Sequence, residues 1–328
     1  MAFFVLGFLF LGKVNLQDKN MSVQAAYLGI VLIWSTTPLA IKWSGESAGF
    51  LFGVSARMFI SLMVCAVIMS FVSRRLPLHR QAIKVYLVSS IGIFGSMMSV
   101  YWGAQFVESG LISVIFGLTP IVTGIFAIIW LKEEAFTLPK VIGLILGIIG
   151  ITIIFSRGIS FGKLSLLGIS AIVFAMILHS GSTVWMKQIQ GDIKSLDVVY
   201  GGLLVSMPMY ALSWLVLWYY GGQHWPQTIS ERSLISIGYL GVIGSVVGFI
   251  LFYYVLKNIS ASRVGLVPLL TPVIALILGS QLNNEVIPMI VWTGSGLILL
   301  GMSIYQWGHH IIGVNPVQVD GAVKTEYD

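Results

Sequence analysis

Charged residues are scarce in this sequence. Only 9% of its 328 residues are charged, whereas 57% are hydrophobic and the mean hydropathy is +0.95. Soluble globular chains contain about 25% charged residues, and a water-soluble protein of this length could not cover its surface with so few. A soluble domain is therefore excluded, and the composition predicts a polytopic protein embedded in a lipid bilayer.

Cysteine is almost absent as well. Cys65 is the only one, and a lone cysteine excludes an internal disulfide and a metal site built from several thiolates. The sequence also has no HExxH motif and no phosphate-binding GxxxxGK[ST] motif. We therefore expect no metal, no cofactor and no ATP hydrolysis by this chain.

Ten apolar runs have the length of a membrane-spanning helix, which needs about 20 residues. They fall at about residues 22–42, 50–73, 84–106, 108–131, 139–157, 164–187, 198–220, 233–256, 264–280 and 286–308. Backbone groups in lipid must bond within their own segment, as they do in a helix, and no alternating segments typical of a membrane β-barrel occur. The predicted fold is an all-α bundle of ten transmembrane helices.

The two ends of the chain do not fit this pattern. The run MAFFVLGFLFLG has 12 residues, which give about 18 Å of helix and cannot cross a ~30 Å hydrocarbon core. Because Met21 opens the first convincing span, our hypothesis is that translation starts there, which makes residues 1–21 a doubtful prefix whose residues before Met21 are an artefact. Residues 309–328 are predicted to form a short polar tail in the cytoplasm.

The basic residues indicate the orientation of the chain. Despite a formal net charge of +6, no Lys/Arg cluster is interleaved with aromatic residues, so we expect no nucleic-acid partner. With ten crossings and a cytoplasmic N-terminus, only Lys42, Arg157, Lys163 and Arg232 of the 18 Lys and Arg residues fall in loops on the opposite side. The positive-inside rule therefore predicts that both termini are cytoplasmic.

The two halves of the sequence resemble each other. Thr119-Pro120 and Thr271-Pro272 are 152 residues apart, as are Tyr101 and Tyr253. The series Glu134, Gly143, Gly150 recurs 151 residues later as Glu285, Gly294, Gly301. We therefore predict one repeat over residues 22–157 and a second over 164–308. Since each repeat has five spans, the second must be inverted in the bilayer, an arrangement typical of secondary transporters with a central cavity between the repeats.

Several segments resemble a known family. They are IWSTTPLAIK (33–42), SARMFISLMVCA (55–66), residues 118–150 and residues 253–301. In order and spacing these segments are similar to the drug/metabolite transporter superfamily, specifically EamA-type permeases with two EamA repeats. The resemblance implies a multi-pass protein of the inner (cytoplasmic) membrane that transports amino acids, other metabolites or drugs, commonly as an exporter. His179 stands where such sequences usually have a tryptophan.

Arg57 and His179 are the main candidate functional residues. A charge at membrane depth costs about 2.5–3.5 kcal/mol, so Arg57 is predicted to bind an anionic group of the substrate; alternatively, it extends toward the membrane surface or bonds to helix-end carbonyls. A histidine changes charge near neutral pH, so His179 is a candidate for binding a coupling proton; alternatively, it is a neutral hydrogen-bonding group between helices.

Aromatic residues complete the predicted substrate site, with ordinary helix packing as their alternative role. They are Trp34, Tyr101, Trp102, Tyr253 and Tyr254. Pro38, Pro120 and Pro272 are predicted to kink helices that line the cavity, because proline removes a backbone donor. Glu134 and Glu285 precede prolines and are predicted to lie in the first turn of the following helix, where negative charge is favourable.

The leading functional hypothesis is a secondary transporter of small organic solutes that works by alternating access. A channel-like facilitator is the first alternative. An intramembrane enzyme is the second, because GESAG (45–49) matches G-x-S-x-G, although it lacks the strand–turn–helix context of that motif. The expected partners are a small-molecule substrate, the lipid bilayer, protons as a coupling ion, and further copies of the chain packed through its glycine-rich fifth and tenth spans.

Overall fold

The structure is a computed structural model of the protein. It describes residues 22–73, 75–131, 138–156, 163–220, 225–264 and 267–312. All regular elements in these ranges are helical. The ten long helices are α1 (Val23–Glu46), α2 (Phe50–Phe71), α3 (Arg80–Gly103), α4 (Ser109–Leu131), α5 (Leu138–Ser156), α6 (Lys163–Ile189), α7 (Ser195–Tyr219), α8 (Glu231–Asn258), α9 (Val267–Asn283) and α10 (Met289–Ile312).

The helices follow the ten predicted spans. Seven of them are long and apolar enough to cross a membrane, and shorter apolar segments lie within α5, α9 and α10. The predicted all-α polytopic fold is therefore confirmed. The last helix is longer than expected, because α10 continues to Ile312 and takes in the first residues of the predicted tail. Residues 1–21, which include the proposed start at Met21, lie outside the described residues.

Helix α4 is interrupted next to a predicted kink. Its first segment ends at Phe116 and its second begins at Thr119. Pro120 has no N–H to donate to the carbonyl of Phe116, which explains the break. In α9, Pro272 lies inside the helix, and a Cβ added at Gly117 would come 3.5 Å from its Cγ. The two equivalent prolines therefore mark the place where α4 and α9 meet.

Helices α3 and α8 each contain a π-helical stretch at matching positions, Ile91–Ser96 and Leu240–Val247. π-helical turns disturb the regular backbone ladder and frequently occur at functional sites. In each stretch a hydroxyl from another helix donates to a backbone carbonyl: Tyr210 to Ile93 at 2.7 Å and Ser61 to Gly241 at 2.8 Å. The wider turns are thus held by side chains from neighbouring helices.

The packing of the helices has two-fold symmetry. Helix α1 packs against α8 and α9, as its counterpart α6 packs against α3 and α4. Helix α2 contacts the π-helical stretch of α8, and α7 contacts α3 in the same way. Exchanging α1–α5 with α6–α10 therefore preserves these contacts. With five helices in each half, the exchange inverts one half relative to the other, as the sequence repeat predicts.

Helices α5 and α10 pack closely against each other through glycines. A Cβ added at Gly150 would come 2.6 Å from the carbonyl oxygen of Gly294, and one at Gly301 would come 2.7 Å from that of Gly143. The repeated glycines therefore face one another inside a single chain. This differs from the expectation that they pack against neighbouring copies, because the close approach of α5 and α10 already covers these glycine faces.

Candidate functional site

A cavity lies between the two halves of the bundle. Its volume is about 80 Å³, smaller than the roughly 300–1,000 Å³ of most ligand sites. Helices α1–α4 line it from the first half, and α6, α8 and α9 line it from the second. The lining residues are Trp34, Thr37, Pro38, Ile41, Arg57, Met97, Val100, Ile112, Ser113, Phe116, His179, Phe249 and Thr271. The position agrees with a site at the interface of inverted repeats.

Arg57 is the charged residue of the cavity wall. Its side chain is among the largest fully buried ones, with 1% relative exposure. Its Nε donates to Oγ of Ser245 at 2.7 Å, and its Cζ lies 6.0 Å from the ring centroid of Tyr101. One terminal guanidinium nitrogen, Nη1, is buried and has no hydrogen-bond partner among the described residues. The alternative that Arg57 extends toward the membrane surface is therefore not observed, since the side chain is buried.

The partner of Arg57 belongs to a short repeat that our sequence analysis missed. IGIFGS (91–96) and LGVIGS (240–245) share two glycines and a serine at an offset of 149 residues, and both lie in the π-helical stretches. At the same offset Arg57 corresponds to Ser206, which is buried and bonds to its own helix at Gly202. The arginine therefore occurs on one side only of an otherwise symmetric arrangement.

His179 lies in a box of aromatic rings. Its ring centroid is 5.7 Å from that of Trp34, 5.4 Å from that of Phe252 and 6.1 Å from that of Phe116. These contacts join α6 to α1, α8 and α4. Among the described residues no hydrogen bond to the imidazole is formed, so the predicted hydrogen bond across helices is not observed and the ring packs by aromatic contact.

The remaining predicted aromatic residues lie outside the cavity lining. Tyr101 is behind Arg57, and its hydroxyl is 3.3 Å from Oγ of Ser44. Tyr253 and Tyr254 are buried, and the ring centroid of Tyr253 lies 5.2 Å from that of Phe252. They pack helices together, which is the alternative role considered for them.

Trp102 is farther from the predicted site. It lines a separate groove of about 740 Å³ together with Phe50, Phe106 and residues of α6 and α7. Exposed apolar side chains such as Phe174 and Leu212 form part of this groove. In a membrane such a surface faces lipid, so Trp102 is not brought together with Arg57 and His179.

Of the three predicted kink prolines, only Pro38 lines the cavity. Pro120 and Pro272 are buried beside it, and their neighbours Phe116 and Thr271 form part of the wall. Two glycines of α8 also shape the wall. A Cβ at Gly244 would come 3.6 Å from a guanidinium nitrogen of Arg57, and one at Gly248 would come 3.4 Å from Nε1 of Trp34.

One end of the bundle, which we call the Lys42 end, is closed by a polar network. Nζ of Lys42 donates to the carbonyl of Val107 at 2.7 Å and lies 3.9 Å from Oε1 of Glu285. The Glu285 carboxylate accepts hydrogen bonds from the backbone N–H of Ser109 at 3.0 Å and from its hydroxyl at 2.9 Å. The carboxylate thus binds the first turn of α4, where negative charge is favourable.

The predicted location of Glu285, in the first turn of the helix that follows it, is wrong. Glu285 lies in the loop between Asn283 and Met289, and it caps α4 rather than the helix that follows it. Asn284 adopts a left-handed backbone conformation, with φ of 51°, which asparagine tolerates better than most residues. Glu134, its counterpart in the repeat, lies outside the described residues.

The Lys42 end contains further contacts between the two halves. Nε1 of Trp43 donates to Oδ1 of Asn283 at 2.8 Å, and Arg232 forms an exposed ion pair with Glu46. Ser47, the serine of GESAG, lies 3.1 Å from Oγ of Ser230. This serine is therefore a surface hydrogen-bonding residue between two helices.

The opposite end contains a counterpart of Lys42. Lys187 lies in the last turn of α6, and its Nζ donates to the carbonyl of Leu256 at 2.8 Å and to that of Lys257 at 3.2 Å. It therefore caps the C-terminus of α8, where a cation is favourable, whereas Lys42 binds the carbonyl of Val107 in the loop after α3. We call this side of the bundle the Lys187 end.

The sequence and the fold are similar to those of known transporters. The EamA-like transporter family matches residues 2–156 and again residues 166–306. An uncharacterized transporter of Archaeoglobus fulgidus is 28% identical over 84% of this chain and 95% of its own length. The uncharacterized inner membrane transporter YedA of Escherichia coli K12 is 23% identical over 89% of this chain and 93% of its own.

A solved crystal structure supports the fold. It superposes with a TM-score of 0.65 and covers 89% of this chain and 100% of its own, at 16% sequence identity, so the likeness concerns the fold alone. The two family matches together cover most of the chain, and the apolar helices agree with a multi-pass protein of the inner membrane. This chain is a membrane transporter that belongs to the EamA-like transporter family.

Proposed function

We propose that the protein is a secondary transporter that exports small organic solutes across the cytoplasmic membrane by alternating access. The observation that supports this most strongly is the cavity at the interface of two inverted halves, with Arg57 and His179 in its wall. Inverted repeats place a substrate site near the bilayer midplane and allow one half to move against the other.

The closed Lys42 end supports a gate at that side. Its bonds connect α1 to the loop after α9, and that loop to the start of α4. Breaking them would separate helices of opposite halves without disrupting a helix. Under the orientation that we propose from the positive-inside rule, with both termini cytoplasmic, the Lys42 end faces the outside and the Lys187 end faces the cytoplasm.

Proton exchange is our proposed energy source. Among the described residues that line the cavity, His179 has the imidazole, which can bind and release a proton, whereas Arg57 stays charged. A facilitator without coupling would leave transport indifferent to a pH gradient, so the two mechanisms are separable by experiment.

The test is uptake by the full chain reconstituted in liposomes. The panel contains neutral, acidic and basic amino acids, nucleosides, aromatic acids and a cationic dye, each with and without an imposed pH gradient. We expect saturable transport of one class, with faster exchange when the same solute is present on both sides, as a carrier requires. Unsaturable flux without exchange would indicate a channel, and no flux from folded protein would contradict the proposal.

A further inference from the structure

The cavity contains a buried cation, Arg57, that has no anionic partner among the described residues. A guanidinium is permanently charged in proteins, and a buried charge is costly unless it is paired. The described ion pairs join Lys42 to Glu285 and Arg232 to Glu46. No carboxylate from the described part of the chain lies within salt-bridge distance of Arg57, and none lines the cavity.

The hydrogen bonds of Arg57 leave a donor available. Its Nε donates to Ser245, whereas Nη1 is buried and has no partner in the described residues. An arginine with a purely structural role would have its buried donors satisfied, because an unmade bond to a buried charged group is expensive. The ring of Tyr101 stabilises the charge in part through a cation–π contact, but it supplies no hydrogen-bond acceptor for the N–H groups of Nη1.

The rest of the wall is apolar and aromatic. Trp34, Phe116 and Phe249 lie around the same cavity as Arg57, and the ring of His179 packs against two of them. Such a wall suits a flat apolar body. Because Arg57 is the only permanent charge among the described lining residues, the site neutralises one negative charge and provides no acidic partner for an ammonium group.

Building on the proposed function, we infer that the substrate is a compact aromatic monocarboxylate whose carboxylate pairs with Arg57 and whose ring lies among Trp34, Phe116 and His179. The carboxylate would accept hydrogen bonds from the N–H groups of Arg57 Nη1. The cavity volume of about 80 Å³ is below the roughly 150 Å³ of a cavity that holds benzene, so the site must widen to admit the substrate, and a single ring requires less widening than a large drug. Zwitterionic amino acids and organic cations fit less well, because the site would leave their ammonium groups unpaired.

Three probes of matched shape test this inference. 3-Phenylpropanoate, phenylalanine and phenethylamine share a ring and a chain of similar length but are an anion, a zwitterion and a cation. With the full chain in detergent, we expect 3-phenylpropanoate to bind at least tenfold more tightly than the other two probes. In liposomes, we expect its half-saturating concentration for uptake to be at least tenfold lower than theirs. Binding is followed by tryptophan fluorescence, because Trp34 lies in the wall.

Two arginine variants and a matched control give the residue-level test. Arg57→Gln should weaken 3-phenylpropanoate binding at least tenfold, and Arg57→Lys should retain part of it, because lysine keeps the charge but not the planar fork. Arg80→Gln removes an exposed arginine at the start of α3, away from the cavity and from the Lys42 end, and should leave binding unchanged. Gel filtration in detergent checks that each variant is folded, and where Arg57→Gln folds poorly the test rests on Arg57→Lys and on the comparison of the three probes with the wild-type protein.

The outcomes separate this inference from the proposed function. Preference for phenylalanine or phenethylamine, or full 3-phenylpropanoate binding by Arg57→Gln, overturns the inference while the transporter stands. Arg57-dependent binding of 3-phenylpropanoate without transport of any solute supports the anion site and overturns the proposed function. Absence of 3-phenylpropanoate binding to the folded wild-type protein also overturns the inference.

Discussion

Arg57 in α2 and Ser245 in α8 join the two halves of the protein through one hydrogen bond of 2.7 Å. Ser245 lies in the π-helical stretch of α8, where the backbone widens, and Gly244 beside it leaves room for the guanidinium. The local irregularity of α8 and the charge in α2 therefore form one structural unit. It places a buried cation in the wall between the halves.

Removing the hydroxyl of Ser245 should weaken the substrate site. A hydrogen bond to a charged group contributes about 1.5–3 kcal/mol, and about 1.4 kcal/mol corresponds to a tenfold change in affinity. We expect Ser245→Ala to raise the half-saturating substrate concentration roughly tenfold. Ser206→Ala is the matched control, because Ser206 is the symmetry counterpart of Arg57 and bonds only to its own helix at Gly202. An equal effect of both variants would contradict a specific role for Ser245.

Removing the carboxylate of Glu285 should destabilise the Lys42 end. Glu285→Ala leaves the N–H of Ser109 without its acceptor, and loss of such a helix cap costs about 0.5–2 kcal/mol. Unfolding by SDS in mixed micelles measures the change. Glu46→Ala is the control, because its exposed ion pair with Arg232 should contribute only about 0–1 kcal/mol. Equal stability of the Glu285→Ala variant and the wild type would show that the cap is dispensable.

A side chain added at Gly301 should destabilise the contact between α5 and α10. A Cβ there would come 2.7 Å from the carbonyl oxygen of Gly143, and overpacking costs about 1–3 kcal/mol. Gly301→Ala should lower the free energy of unfolding by that amount. At Gly296, on the same helix, nothing lies within 4 Å of an added Cβ, so Gly296→Ala should be neutral or stabilising by up to about 1 kcal/mol. The reverse order of stabilities would contradict the packing.

The role of His179 in coupling can be separated from its role in packing. His179→Phe keeps an aromatic ring against Trp34 and Phe252 but cannot bind a proton. We expect this variant to retain exchange of substrate between the two sides and to lose acceleration by a pH gradient. His79→Asn serves as control, since His79 caps α3 through its side chain, outside the cavity. Gradient-driven uptake by His179→Phe at the wild-type rate would remove His179 from the coupling mechanism.

The sequence was sufficient for the helices because a membrane span requires a long apolar run. The repeated glycines of α5 and α10 also appeared as a spacing, since close packing allows no side chain there. The buried position of Arg57 could not be derived, because an arginine near a helix end can equally extend to the surface. Ser245 was detectable only through the repeated GxxGS pattern, which gains meaning when the π-helical stretches are seen.

Tertiary contacts account for the misplaced residues. Trp102 and Tyr253 are aromatic residues of the kind that line substrate sites, but Trp102 lies in an outer groove and Tyr253 is buried beside Phe252, outside the cavity lining. Glu285 was assigned to its own helix from local sequence, whereas its carboxylate caps α4, 176 residues earlier. Such partners depend on how the two halves meet, which a single sequence does not specify.

The most direct test of alternating access is a reversible lock at the Lys42 end. Ser47 and Ser230 belong to opposite halves, their Oγ atoms are 3.1 Å apart, and both residues are exposed. The double variant Ser47→Cys, Ser230→Cys should therefore form a disulfide on oxidation, while Cys65 is buried and stays free. In liposomes, oxidation should stop transport and reduction should restore it, with each single variant unaffected. Undiminished transport through the oxidised double variant would show that transport does not require this end to open and would contradict the account.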